Sequence, residues 1–149
     1  MQSILVIFAP TRSTCKKHEY LLLNNQLRQG VIMTITRINA GARMSQAVVH
    51  NGIVSTAGQV AQNAAGGTAA EQTQDILRAI DNLLAEAGTD KSKLLTATIW
   101  LADMSDFAGL NSVWDEWVSP GATPTRACVE SKLAAPQFTV EISVTAAVE

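Results

Sequence analysis

Hydrophobic positions along this chain switch between two periods, and each switch marks an element. Ile35, Arg37 and Ile38 suit a short edge strand. Residues 46–50 and 53–57 flank Asn51-Gly52, a dipeptide whose tolerance of positive φ predicts a type I′ hairpin. Residues 58–67 are a loop of small side chains. Thr68, with Glu71 three residues later, reads as a capping box, since each side chain can satisfy an orphan N–H of a first helical turn. Behind it Ile76, Leu77, Ile80, Leu83, Leu84 and Ala87 recur at helical spacing, and Gly88 supplies the stop. The period then drops to two: Leu95, Ala97, Ile99 and Leu101 alternate with Thr96, Thr98 and Trp100. Asp106 is the expected N-cap of a second helix with Phe107, Leu110, Val113, Trp114 and Trp117 on one stripe, ended by Pro120-Gly121. Strands over 125–131 and 138–146 complete the chain.

This order predicts an α+β domain with two helices on one face of a sheet. The helices can cover only that face, so the other is either wet or buried in an oligomer. In the last strand Val140, Ile142, Val144 and Ala146 point toward the helices, and Thr139, Glu141, Ser143 and Thr145 point away. Arg126, Cys128 and Glu130 share one face of the strand before it, and the expectation is that the uncovered face carries them together with Glu141. Two readings stay open at this point. Arg126 pairs with Glu130 or Glu141 as an ordinary surface ion pair, or it offers a planar fork of donors to a ligand carboxylate while Glu141 handles a proton or a water.

Composition narrows the classes. The 149 residues are 47% hydrophobic and 16% charged, enough for a sizeable core and unlike a disordered or low-complexity chain. No apolar run approaches the ~18–20 residues that span a bilayer, so no membrane role is expected. The formal charge is −2, a poor electrostatic case for nucleic acid. It is unevenly spread: residues 1–32 carry Arg12, Lys16, Lys17 and Arg28 against Glu19 alone, while residues 33–149 hold seven basic and twelve acidic residues. The first 32 residues lack a basic region before their apolar start and a small-residue cleavage site, so they do not read as a secretory signal. The expectation is an extension over 1–32, an over-called start or leader, with the domain beginning at Met33. Cys15, Cys128, His18 and His50 form neither a disulfide framework nor a metal-ligand set. A reducing, cytoplasmic setting is the simplest expectation, with no metal or cofactor. Trp100, facing away from the apolar side of its strand, is expected at an interface or cleft.

The segment Pro124-Thr125-Arg126-Ala127-Cys128-Val129-Glu130, followed by Val140-Glu141-Ile142, resembles the RidA-type (YjgF-like) family of reactive-intermediate imine/enamine deaminases. Ala57-Gly58-Gln59, Glu71-Gln72-Thr73, Leu101-Ala102-Asp103-Met104 and Asp106-Phe107 extend the likeness over nearly all of residues 33–149. Trp114-Asp115-Glu116-Trp117 and Thr34-Ile35-Thr36-Arg37-Ile38 are most similar to the YoaB-like branch. Residues 1–32 have no counterpart in it.

The resemblance implies a chorismate-mutase-like α+β fold, with a mixed six-stranded sheet and two helices on one face, assembled as a homotrimer with clefts between subunits. It implies cofactor-free hydrolysis of 2-imino or 2-enamino acids, such as 2-aminoacrylate, to 2-oxo acids and ammonia. Arg126 would hold the substrate carboxylate and Glu141 would position the attacking water. Gly58 would line the cleft with its backbone, and Cys128 would contribute mainly through its backbone. Met44 and Ala57 stand where the family's archetype has a tyrosine and a serine, so the pocket is expected to be less polar, with a changed substrate range or slower turnover. The competing expectation is a non-catalytic trimer that senses 2-oxo acids through Arg126. The nuclease or translation-inhibitor activity ascribed to some relatives finds no basic stripe here.

Overall fold

The computed structural model describes residues 34–148; the expectations about residues 1–32, with Cys15 and His18, lie outside them. Asn51 and Gly52 both adopt positive φ, 55° and 73°. This is the type I′ turn the dipeptide predicts, and it sets β2 (Ser45–His50) against β3 (Ile53–Thr56) with His50 opposite Ile53. β1 (Thr36–Ala40) pairs with β2, and the two-residue β4 (Gln59–Val60) follows β3. The remaining elements are α1 (Ala69–Glu86), β5 (Leu94–Leu101), α2 (Phe107–Trp117), β6 (Thr125–Glu130) and β7 (Val140–Ala147). The strands run β1-β2-β3-β7-β5-β6, with β4 beside β7. Only β5 and β6 pair in parallel, and α2 is the crossover that parallel pairing requires.

Both ends of α1 follow from local chemistry. The Thr68 hydroxyl accepts from the Glu71 amide at 3.3 Å, and the Glu71 carboxylate accepts from the Thr68 amide at 2.8 Å. At the other end Gly88 takes φ 82°, and the amides of Gly88 and Thr89 reach back to the carbonyls of Ala85 and Leu84. The helix buries Ile76, Leu77, Ile80 and Leu84 against Val140, Ile142, Val144 and Ala146 of β7 and Ala97, Ile99 and Leu101 of β5. From α2, Leu110 and Trp114 join this core, and Phe107, Val113 and Trp117 pack at its margin.

Three local features differ from expectation. A register shift between Leu94 and Thr96 turns Leu94 into the core and leaves Leu95 outside, at 7% and 44% exposure. Asp106 makes no capping bond. α2 is instead entered through a 3₁₀ turn at Met104–Asp106, where Asp103 accepts from the Ser105 amide at 2.8 Å. Finally, β3 and β4 do not join smoothly along β7. Three residues, Thr56 to Gly58, lie opposite two, Ser143 and Val144, between the pairs Ser55–Thr145 and Gln59–Ile142. The Thr56 hydroxyl fills the broken ladder, accepting from the Val144 amide at 3.0 Å and donating to its carbonyl at 3.4 Å. An extra residue of this kind re-aims the backbone beside it.

Candidate functional site

Residues in register on parallel strands point to the same side of a sheet. Arg126, Cys128 and Glu130 of β6 lie opposite Ala97, Ile99 and Leu101 of β5, which are core positions. The three therefore sit on the helix-covered side, contrary to the expectation that they share the uncovered face with Glu141. Alternation predicted their common face correctly but could not say which face it was, because an edge strand of mixed polarity has no apolar side to orient it.

Arg126 escapes burial because β6 is the last strand of the sheet, so its side chain lies at the rim, beside α2. Its Nη1 donates to the Asn111 side-chain oxygen at 2.9 Å. The guanidinium carbon stands 5.2 Å from the Trp114 ring centroid and 5.8 Å from that of Phe107. Among the described residues no carboxylate forms an ion pair with it. Glu130 is engaged elsewhere, accepting from the Met104 amide at 3.0 Å. The surface-pair reading of Arg126 is thereby removed. Burial pushes the half-buried Cys128 thiol above its ordinary pKa, with the Arg126 charge pulling the other way, which makes it a poor nucleophile near neutral pH.

Glu141 projects from β7 on the opposite side, opposite Trp100 of β5 and Val60 of β4. Its side chain lies directly on Gly58: a Cβ built there would come within 2.8 Å of the Glu141 carboxyl carbon. The Ala57-Gly58 turn is fixed from both sides. The Ala57 amide donates to the Gln46 carbonyl at 2.8 Å, and Gln59 Nε2 donates to the Ala57 carbonyl and to Gln46 Oε1, at 3.2 and 3.0 Å. Ala57, Gly58 and Glu141 thus form one cluster, while Arg126 and Cys128 form another across the sheet. Met44 is exposed just before β2, its carbonyl accepting from the Gly41 amide. Sequence reasoning missed Asn111, Gln46 and Gln59. The helical spacing of Phe107, Asn111 and Trp114 was the available signal for the first.

A cavity of about 730 Å³ opens where β5 and β6 end, lined by Ala102, Glu130, Lys132, Leu133, Phe138 and Thr139 among others; neither Arg126 nor Glu141 lines it. Among the described residues no three His, Cys, Asp or Glu side chains are grouped to hold a metal ion. No helix among them is long and apolar enough to cross a membrane.

Comparison with known proteins places this architecture. Residues 34–148 match the family described as Endoribonuclease L-PSP. A RutC family protein of Haemophilus influenzae is 50% identical over 114 residues, covering 76% of this chain and 98% of its own length. The RutC family protein YoaB of Escherichia coli K12 is 46% identical over 116 residues, covering 78% of this chain and all of that protein. A crystal structure of a YjgF family member from Neisseria meningitidis superposes with a TM-score of 0.76 at 49% identity, over 78% of this chain and 97% of that one. The match over residues 34–148 and these relatives settle the lineage: the chain is a member of the Endoribonuclease L-PSP (YjgF/RidA) family, with YoaB-type relatives.

Proposed function

We propose that the protein is a cofactor-free deaminase that hydrolyses small 2-imino and 2-enamino acids to 2-oxo acids and ammonia, working as a homotrimer. The observation that carries the reading is Arg126: a guanidinium at the sheet rim, held by a neutral amide and two aromatic rings, with no acidic partner among the described residues. Such a group is primed for a carboxylate, which it can grip through two parallel N–H bonds.

Family membership supports the reading in outline, and the chemistry supports it in detail. The carbon of a protonated imine is already electrophilic, so orientation of a water supplies much of what the reaction needs. Arg126 fixes the carboxylate and with it the direction of the C=N bond. A 2-enamino acid first tautomerises to its imine. Glu141 then accepts a proton from water as oxygen attacks carbon, and returns it to nitrogen of the resulting carbinolamine. Collapse to the 2-oxo acid breaks the C–N bond, expelling ammonia while the hydroxyl proton passes to Glu141. Because Arg126 and Glu141 lie on opposite sides of one sheet, this requires the β6 rim of one subunit to meet the uncovered face of the next. Backbone amides of β6 that lack a ladder partner at the sheet edge, near Cys128, add donors for the same carboxylate. Met44 and Ala57 bring no hydroxyl to the cleft, which favours less polar substrates.

Ammonia release from freshly generated 2-aminoacrylate, followed for the native protein and Arg126→Lys, tests the proposal. Lysine keeps the charge but loses the fork, and a fall of roughly 100-fold in kcat/KM is expected. Equal rates would overturn the clamp. Binding of 2-oxobutyrate without deamination of any of several imines would instead establish a sensor; Glu141, which the sensing of a carboxylate does not need, favours the enzyme.

A further inference from the structure

We infer that Asn111 is a positioning residue: it sets the rotation of the Arg126 guanidinium before any ligand arrives, so that a carboxylate meets a fork already aimed. The inference rests on the reading of Arg126 as the carboxylate clamp and adds a residue to it.

Asn111 lies on α2 between Phe107, four residues before it, and Trp114, three after, so the three form one stripe of the helix. All three reach the same group: an amide oxygen at 2.9 Å from Nη1, and two rings whose centroids lie 5.2 and 5.8 Å from the guanidinium carbon. The rings alone restrain the position of a cation but are weak at fixing its rotation about the Cδ–Nε bond, which turns the planar fork. A hydrogen bond to one Nη fixes that rotation. The side chain that makes it matters. Arginine only donates, so the amide must present its oxygen, and its NH₂ is turned away. It occupies one of five guanidinium N–H groups and leaves the other four for a ligand. It also carries no charge, so the cation's attraction for an anion survives. An aspartate in the same place would make the same bond, neutralise the charge and compete for the remaining N–H groups.

That contrast provides the test. Alanine is a better helix former than asparagine and aspartate a comparable one, so both Asn111→Ala and Asn111→Asp should fold. Titration of 2-oxobutyrate into the native protein should show the tightest binding. Asn111→Ala should bind about tenfold more weakly, the scale of one hydrogen bond to a charged group. Asn111→Asp should bind more weakly still, although it keeps the bond. In the imine assay the alanine variant should show the loss in KM, with kcat within about threefold, since the water-positioning group is untouched. A structural role alone predicts that aspartate rescues alanine, and that order would overturn the inference.

Rotation of the Arg126 guanidinium about Nε–Cζ, measured by NMR on isotope-labelled protein without ligand, separates this inference from the proposed reaction. Slow rotation in the native protein, lost in Asn111→Ala, supports the restraint even if 2-oxobutyrate fails to bind and the reaction itself is wrong. Equal rotation in the two proteins overturns it whatever binds.

Discussion

Gly58 is explained by a neighbour rather than by a turn. Its φ is not among the positive values, so any residue could adopt its backbone, but a Cβ there collides with the Glu141 side chain. Gly58→Ala should therefore leave the fold intact and swing the carboxylate away from its seat. Misplacement on this scale costs roughly 100-fold in kcat, with a far-ultraviolet circular dichroism spectrum like the native one; an unchanged kcat would show that Glu141 is not the group that aims water. Asp75 illustrates a different residue-level effect. Its carboxylate accepts from the amides of Gln62, Asn63 and Ala64 and from the Asn63 side chain, at 2.7 to 3.3 Å. The bonds to Asn63 foremost hold its pKa below the ordinary 3.8, against an opposing push from burial. A lowered folded pKa contributes stability that is present above that ordinary value and lost as pH falls through the folded one. Stability measured by urea unfolding should thus fall on acidification below about pH 4, and Asp75→Asn should flatten that slope. The role of Asp75 was invisible in the sequence, where it reads as a polar position on an amphipathic helix.

Among the elements, α1 and the hairpin were readable because their signals are local. Thr68, Glu71 and Gly88 act within one turn of themselves, and Asn51-Gly52 needs no partner to favour positive φ. The features that escaped are settled across the sheet. Leu94 displaces Leu95 from the core because β5 shifts register against β7, and Asp103 takes the capping task assigned to Asp106 because Glu130 of β6 anchors the preceding turn through the Met104 amide. The face of Arg126 escaped for the same reason, since only pairing with β5 fixes it. Gln72 is the strongest of these long-range ties. Fully buried near the start of α1, its Nε2 donates to the carbonyls of Gly67 and Gln137, and its Oε1 accepts from the Thr139 amide, all within 3.1 Å. It joins the helix start to the segment that leads into β7. Gln72→Leu keeps the volume and orphans these backbone groups. A loss of about 2–4 kcal/mol in urea unfolding is expected, with its effect on activity secondary to that on stability.

At the scale of the whole molecule, the uncovered side of the sheet carries Trp100, Val129 and Ile53 among hydroxyl-bearing residues, with Thr96 and Thr145 hydrogen-bonded to each other at 2.7 Å. Val129 and Ile53 are 46% and 43% exposed in the single chain, a cost that association would remove. If three copies close around these faces, Val129→Asp places an unpaired charge in the contact. Sedimentation should find the native protein at three times the chain mass and the variant at one; a native monomer would refute the assembly. The separation of Arg126 from Glu141 by the thickness of a sheet has a further result. Protein carrying only Arg126→Lys and protein carrying only Glu141→Gln should each be nearly inert, yet co-refolding the two should revive turnover. Random mixing gives about a quarter of the seams an intact arginine from one strand donor and an intact glutamate from the other, so two broken preparations should heal one another in a single tube.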